Sequence, residues 1–243
     1  MICEAFPARP PTVVCMAIAT YKDLCIDASD PPALAAFWAP LLGWEAHVHD
    51  DGDASLRPVD GSGEVMVWVN GVPEPMTVKN RLHLDLNATS LEPALAGGAV
   101  VVDDTQRWTV MRDPDGQLFC VFVRDQPVER PFYELVWDVT GGLDECRQLA
   151  DWWARAFGIT AQHDSESSWL EHVPGAPFEV MDFGPVPEAK TTKNRVHIDV
   201  TTADVGELLA AGATRLLRKG EDNLRWDVLA DPAGNEFCAF TPD

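Results

Sequence analysis

Lys79-Asn80-Arg81-Leu82-His83-Leu84-Asp85-Leu86 returns 114 positions later as Lys193-Asn194-Arg195-Val196-His197-Ile198-Asp199-Val200. Each copy follows a Val-Pro-Glu, at Val72-Pro73-Glu74 and at Val186-Pro187-Glu188. Both alternate apolar with polar residues, the period of a strand with one buried face. Leu82, Leu84 and Leu86 fall on one side; Arg81, His83 and Asp85 fall on the other. Arginine, histidine and aspartate are costly to bury unless they are paired or line a wet groove. The reading therefore places function on that polar face.

Working outward, the repeat divides the 243 residues into two tandem domains, 16–124 and 132–243, joined by a linker at 125–131. Residues 1–15, proline-rich and without periodicity, read as a leader outside the fold, with Met16 as the functional start. A strand ends near Ala28, and Ser29-Asp30-Pro31 offers a helix cap followed by proline in the first turn. The Phe37, Trp38, Leu41, Leu42 stripe stops at Gly43, and two or three strands follow to Asn70. Arg81–Leu86 starts the scheme again: a short helix capped by Thr89 or Ser90 and ending at Gly97-Gly98, then strands at 99–102, 107–111 and 118–123. Asp113-Pro114-Asp115-Gly116 turns the chain before the last strand. The second half repeats both patterns, with strand 132–139, a helical stripe from Leu143 to Phe157, and Asp231-Pro232-Ala233-Gly234. The expected class is α+β: four βαβββ units, two to a domain, each domain a curled mixed sheet around a groove.

A net charge of −21 and a pI near 4.4 exclude nucleic acid and anionic membrane surfaces as natural partners. No apolar run reaches transmembrane length, and no secretory signal is visible. Six cysteines without a CxxC pair read as reduced thiols in a cytoplasmic protein. No nucleophile elbow, phosphate loop or dinucleotide fingerprint occurs. The expected partner is a small organic molecule, bound by a monomer or homodimer.

Paired βαβββ units, a strand followed by Ser-Asp-Pro, a helix ending in Leu-Gly and Asp-Pro-x-Gly before a last strand together resemble the vicinal oxygen chelate superfamily. That group holds glyoxalases, extradiol dioxygenases and bleomycin-resistance binding proteins. The Val-Pro-Glu…Lys-Asn-Arg-x-His-x-Asp signature is similar to its glyoxalase-like branch. Metal-binding members use a histidine on the first strand of a unit and a glutamate on the last. Here the resemblance puts Asp23, Arg81, Glu134 and Arg195 at the histidine positions, and Cys120 and Cys238 at the glutamate positions. On the last strands of units one and three the register falls on Met66 or Trp68 and on Val180 or Asp182.

Arginine cannot ligate a metal, so no metal and no cofactor are expected. A rescued zinc site from Cys25, His83 and Cys120 is the weaker alternative. His83 and His197 are the candidate acid–base groups, against the plainer reading that each only bonds Asp85 or Asp199. The candidate ligand-binding set is Asp23, Cys25, Asp27, Arg81, His83, Asp85, Cys120, Glu134, Arg195, His197, Asp199 and Cys238, with Trp68 and Trp108 as apolar wall. The more polar wall at Cys25 and Asp27 favours the first domain. Two ion pairs, Asp23–Arg81 and Glu134–Arg195, are expected where relatives hold a metal. The functional expectation is a metal-independent binder serving sequestration or resistance, with a lyase, isomerase or dioxygenase as the alternative.

Overall fold

A computed structural model describes residues 16–242; the leader expected at 1–15 lies outside the described residues. The first unit is β1 (Thr20–Ala28), α1 (Pro31–Leu42), β2 (Trp44–Val48), β3 (Ala54–Pro58) and β4 (Val67–Gly71). The second is β5 (Leu82–Ala88), α2 (Glu92–Ala96), β6 (Val100–Asp103), β7 (Thr109–Arg112) and β8 (Leu118–Val123). The third is β9 (Phe132–Thr140), α3 (Leu143–Phe157), β10 (Gln162–His163), β11 (Ser168–Glu171) and β12 (Val180–Val186). The fourth is β13 (Val196–Thr201), α4 (Val205–Ala210), β14 (Thr214–Leu217), β15 (Asp227–Ala230) and β16 (Glu236–Phe240).

Local chemistry places the helix ends. Asp30 caps α1 by accepting the Ala33 N–H at 3.1 Å, and Gly43 closes it in the left-handed conformation, φ 71°. Gly158 does the same for α3. The expected Thr89 or Ser90 cap is not used: α2 starts after Leu91, with no side-chain cap. That helix is a single turn, held by its place in the fold rather than by its own ends.

The units do not pair within their own halves of the chain. Sheet I runs β14-β15-β16-β13-β1-β4-β3-β2 and joins units one and four; sheet II runs β10-β11-β12-β9-β5-β8-β7-β6 and joins units two and three. At their centres β1 lies antiparallel to β13, and β5 to β9. The expectation that each half builds its own sheet is thus corrected. The 125–131 stretch does not separate the sheets but links β8 to β9 within sheet II. The chain crosses between sheets at the β4–β5 and β12–β13 loops, which are the two Val-Pro-Glu…Lys-Asn-Arg stretches.

The helices fill the space between the sheets. α1 packs on β2, β3 and β4, while its Trp38 sets its ring edge against Phe119 of β8, centroids 5.0 Å apart. α3 packs on β11 and β12, and its Trp153 meets Phe237 of β16 at 5.1 Å. One continuous apolar core results, drawing residues from both sheets. Two buried turns repeat the same bond. Trp38 Nε1 donates to Asp113 Oδ2 and Trp153 Nε1 to Asp231 Oδ2, each at 3.3 Å. Each aspartate also accepts the backbone N–H groups of its own Asp-Pro turn. With Leu24, Ile26, Leu82 and Leu84 turned into the core, the alternate residues of the central strands occupy the opposite, inner faces. No helix of the described residues is long and apolar enough to cross a membrane.

Candidate functional site: two inner sheet faces

Strand register decides which candidates meet. On sheet I, Asp23 sits opposite Asp199 and Cys25 opposite His197, while Trp68 neighbours Cys25 from β4. Cys238 lies beside Asp199, its sulfur 3.6 Å from His197 Nε2. On sheet II, Glu134 sits opposite Asp85, and Val136 opposite His83. Cys120 neighbours Asp85, and Asp182 neighbours Val136. Cys25 and His83 are therefore on different sheets, and the zinc set of Cys25, His83 and Cys120 is not assembled.

Both expected arginine ion pairs are likewise overturned. Asp23 is in sheet I, where it pairs with Lys22 and accepts Trp68 Nε1 at 3.3 Å. Glu134 lies among the carboxylates Asp85 and Asp182. Arg81 and Arg195 precede their strands and turn off the inner faces toward the crossing loops. Arg81 Nη2 donates to the Glu188 and Ala189 carbonyls, both at 2.7 Å. Arg195 Nη1 donates to the Glu74 carbonyl at 2.7 Å, and its Nη2 pairs with Asp115 at 3.1 Å. Each arginine thus clasps the Val-Pro-Glu loop of the other repeat. Charged donors can satisfy loop carbonyls that helix or sheet bonds do not reach.

The two histidines, alike in sequence, have opposite surroundings. On sheet II, His83 Nδ1 bonds Asp85 Oδ1 at 2.7 Å, and its Nε2 stands 3.8 Å from Asp138 Oδ1. Burial alone would depress its pKa, but Asp85 and Asp138 push it up to about 10. His83 is therefore an imidazolium at neutral pH. Lys79 closes on the other oxygen of Asp138. On sheet I, burial drives His197 down to about 4 despite Asp27, so it stays neutral.

Sheet II also carries two acids that titrate close to neutrality. Burial, then Asp85 and Asp182, lifts Glu134 to about 7. Burial lifts Asp182 to about 6, although Ser167 Oγ donates to it at 2.8 Å. An aromatic wall stands beside Glu134: Trp108 against Phe122 at 5.6 Å, then Phe122 against Tyr133 at 5.3 Å, with Arg124 over both. Trp68 faces the sheet I acids and lies 5.4 Å from His49, which in turn bonds Ser55 at 3.0 Å.

The donor chemistry of each face tests whether a metal of the kind used by vicinal oxygen chelate proteins would fit. His83, Asp85 and Cys120 lie within 4.8 Å of one another. The imidazolium is already bonded to Asp85 and faces Asp138, and Lys79 closes on that second acid. That set is charge-complete without an ion and does not fit. Cys25, His197 and Asp199 form the corresponding cluster on sheet I. There Asp23 Oδ1, Asp199 Oδ1 and His197 Nδ1 are buried without a hydrogen-bond partner among the described residues. Unpartnered oxygens on two facing carboxylates call for a shared proton or a cation, and a thiol, imidazole and carboxylate suit zinc by ligand type. This face does fit. The sequence argument against metal fails here because Arg195 leaves the face.

Sequence reasoning passed over Lys79, Lys193 and Tyr133, and left Asp182 unassigned. Both lysines stood in the repeated stretch: Lys193 pairs with Asp27 at 2.7 Å as Lys79 pairs with Asp138. Asp182 was one of the two registers left open on its strand.

Comparison with known proteins places this geometry. The family model described as "Glyoxalase-like domain" matches residues 23–122 and again 136–240. Among curated proteins none matches. Glyoxalase I from Zea mays superposes with a TM-score of 0.61 at 12% identity, covering 92% of each chain. A protein from Bacillus subtilis subsp. subtilis strain 168, provisionally assigned as a dioxygenase, gives 0.50 at 11% identity, covering 93% of this chain and 86% of that one. At such identities the solved structures share the fold alone. The chain belongs to the glyoxalase-like domain family, with the domain present twice in tandem.

Proposed function

We propose that this chain is a glyoxalase-like protein that binds a small organic ligand on the inner face of sheet II, without a metal at that site. The observation that carries the reading is His83, held between Asp85 and Asp138 on the same face as Glu134, which the Trp108–Phe122–Tyr133 wall borders. A fixed imidazolium supplies the positive charge a metal would otherwise bring, and the rings supply apolar contact. The 3.8 Å contact from His83 Nε2 to Asp138 is the longer of its two, and a ligand oxygen can replace it. Sequestration of such a ligand, as in resistance proteins, is the role this supports.

A second reading, an enzyme of the lyase or isomerase class, is favoured by one observation. Glu134 changes protonation near neutral pH and faces Asp85 on the same inner face as His83, the placement a general base would need. His83, protonated throughout, then steadies the developing oxyanion rather than acting as the base. His197 stays neutral and belongs to the other face. On sheet I, Cys25, His197 and Asp199 would hold a divalent ion, whose Lewis acidity an oxygenase reading would draw on.

A thermal-shift screen of aromatic carbonyl, carboxylate and glycopeptide compounds, run in chelator, tests the first reading. Stabilisation that survives chelation and falls in His83→Gln is expected. Hits that need added metal, or that ignore His83→Gln, refute it. Turnover lost in Glu134→Gln with ligand binding retained would establish the second. Zinc titration of the wild type against Cys25→Ser and His197→Gln decides whether sheet I holds an ion.

A further inference from the structure

The two crossing loops, residues 72–81 and 188–195, enclose a cleft of about 760 Å³, with Asp27 of β1 also on its wall. Its size is that of a small-molecule pocket. Because the loops are the two copies of one stretch, residues line it in pairs: Thr77 with Thr191, Lys79 with Lys193, Arg81 with Arg195. Met76 and Val78 add apolar surface from one side only.

Charge distinguishes one position in it. Five cations line the cleft of a chain with net charge −21. Lys79 is neutralised by Asp138, Lys190 by Glu236, Lys193 by Asp27 and Arg195 by Asp115. Arg81 differs. Its recorded bonds go to two backbone carbonyls, and among the described residues no carboxylate stands within 4.0 Å of it. It is only 7% exposed. A guanidinium carries its charge at every accessible pH, and carbonyl dipoles do not cancel it; a buried cation without a counter-anion is costly. Both Nη2 hydrogens are taken by those carbonyls, so an anion would meet the guanidinium through its other N–H groups.

We propose that this cleft is a second binding site, for a small organic carboxylate whose anionic end pairs with Arg81 and whose body lies against Met76, Val78 and the paired threonines. The site is distinct from the His83 site of sheet II, although Lys79 on its wall pairs with Asp138, which His83 also faces. The other cations already have carboxylate partners, and Glu74 and Glu188 also line the cleft, so a ligand with a single negative charge set against Arg81 is the fitting class.

The test uses 2-naphthoate and its neutral analogue 2-naphthamide as probes in calorimetric titration of the full chain. Naphthoate should bind one per chain, with naphthamide weaker by about tenfold or more, the size expected for losing one charge-assisted pair. Thr191→Trp, at an exposed position, fills the cleft without touching Arg81 and should abolish binding. Arg81→Lys, which keeps the charge but loses the remaining guanidinium N–H groups, should weaken it. Equal binding of the two probes, binding untouched by Thr191→Trp, or no naphthoate binding at millimolar concentration each overturns the proposal. Loss in His83→Gln but not in Thr191→Trp would assign the probe to sheet II and overturn it as well.

Discussion

The arginine clasp can be dissected by two double-mutant cycles read in urea. In the first, Arg195→Met and Asp115→Ala are combined. Their side chains are 12% and 8% exposed, and the charged atoms are 3.1 Å apart. At an effective dielectric near 20 such a pair attracts by about 5 kcal/mol, before the cost of desolvating both ions. A coupling of about 1–3 kcal/mol should remain, the range for residues in direct contact. Arg195→Met alone should cost about 3–5 kcal/mol, because it leaves Asp115 buried and unpaired. In the second cycle, Arg81→Met is combined with Asp23→Ala. These residues share no partner, as Arg81 holds loop carbonyls while Asp23 meets Lys22 and Trp68. Their effects should add within about 0.5 kcal/mol. Urea midpoints and slopes for the seven proteins give both couplings. A coupling above about 1 kcal/mol for Asp23 with Arg81, or none for Asp115 with Arg195, would show the clasp to be misassigned.

His83 should remain protonated through neutral pH in an NMR titration, since its folded pKa is raised to about 10. Its contribution to stability is present below the unfolded value near 6.5 and is lost as pH rises through about 10, so His83→Gln should flatten that alkaline decline. Asp113 and Asp231, lifted to about 6 chiefly by burial, bind extra protons in the folded state. Stability from these groups should therefore fall as pH rises from about 4 to 6, the reverse of ordinary acid denaturation. Trp38→Phe or Trp153→Phe removes the indole donor to one of them and should cost about 1–3 kcal/mol at pH 7, less at pH 5 where the carboxyl is protonated; equal losses at both pH values would count against the bond. Gly43→Ala should cost about 1 kcal/mol in thermal unfolding, because φ is +71° and nothing stands within 4 Å of the added carbon, so only backbone strain is at work.

What could be read from sequence was local. Asp30 with Gly43, and the Leu143–Phe157 stripe with Gly158, gave both long helices their ends, and the Asp-Pro turns placed the last strands. Partner choice between units was not legible. Four first strands share one alternation, and nothing local tells β1 to pair with β13 rather than β5. That single ambiguity misplaced the Cys25, His83, Cys120 set and both ion pairs at once. The opposite protonation of His83 and His197 was hidden for a related reason. Their own stretches are almost identical, and what differs is the strand across: Val136 with Asp138 beside one, Cys25 with Asp27 beside the other.

The two crossings mean that neither half of this chain is a separable object. Residues up to the β8–β9 connection supply half of each sheet and no complete one. A single repeat expressed alone would expose the pairing edge of β1 and of β5, and two copies would have to exchange units to cover them. The fused chain is, in effect, a dimer written on one thread. Cutting it between residues 124 and 131 should leave two fragments that stay interlocked and co-purify, whereas either fragment produced alone should fail to fold. On one thread the two faces need not match: one sets a neutral imidazole between Cys25 and Cys238, and the other a charged one between Asp85 and Asp138.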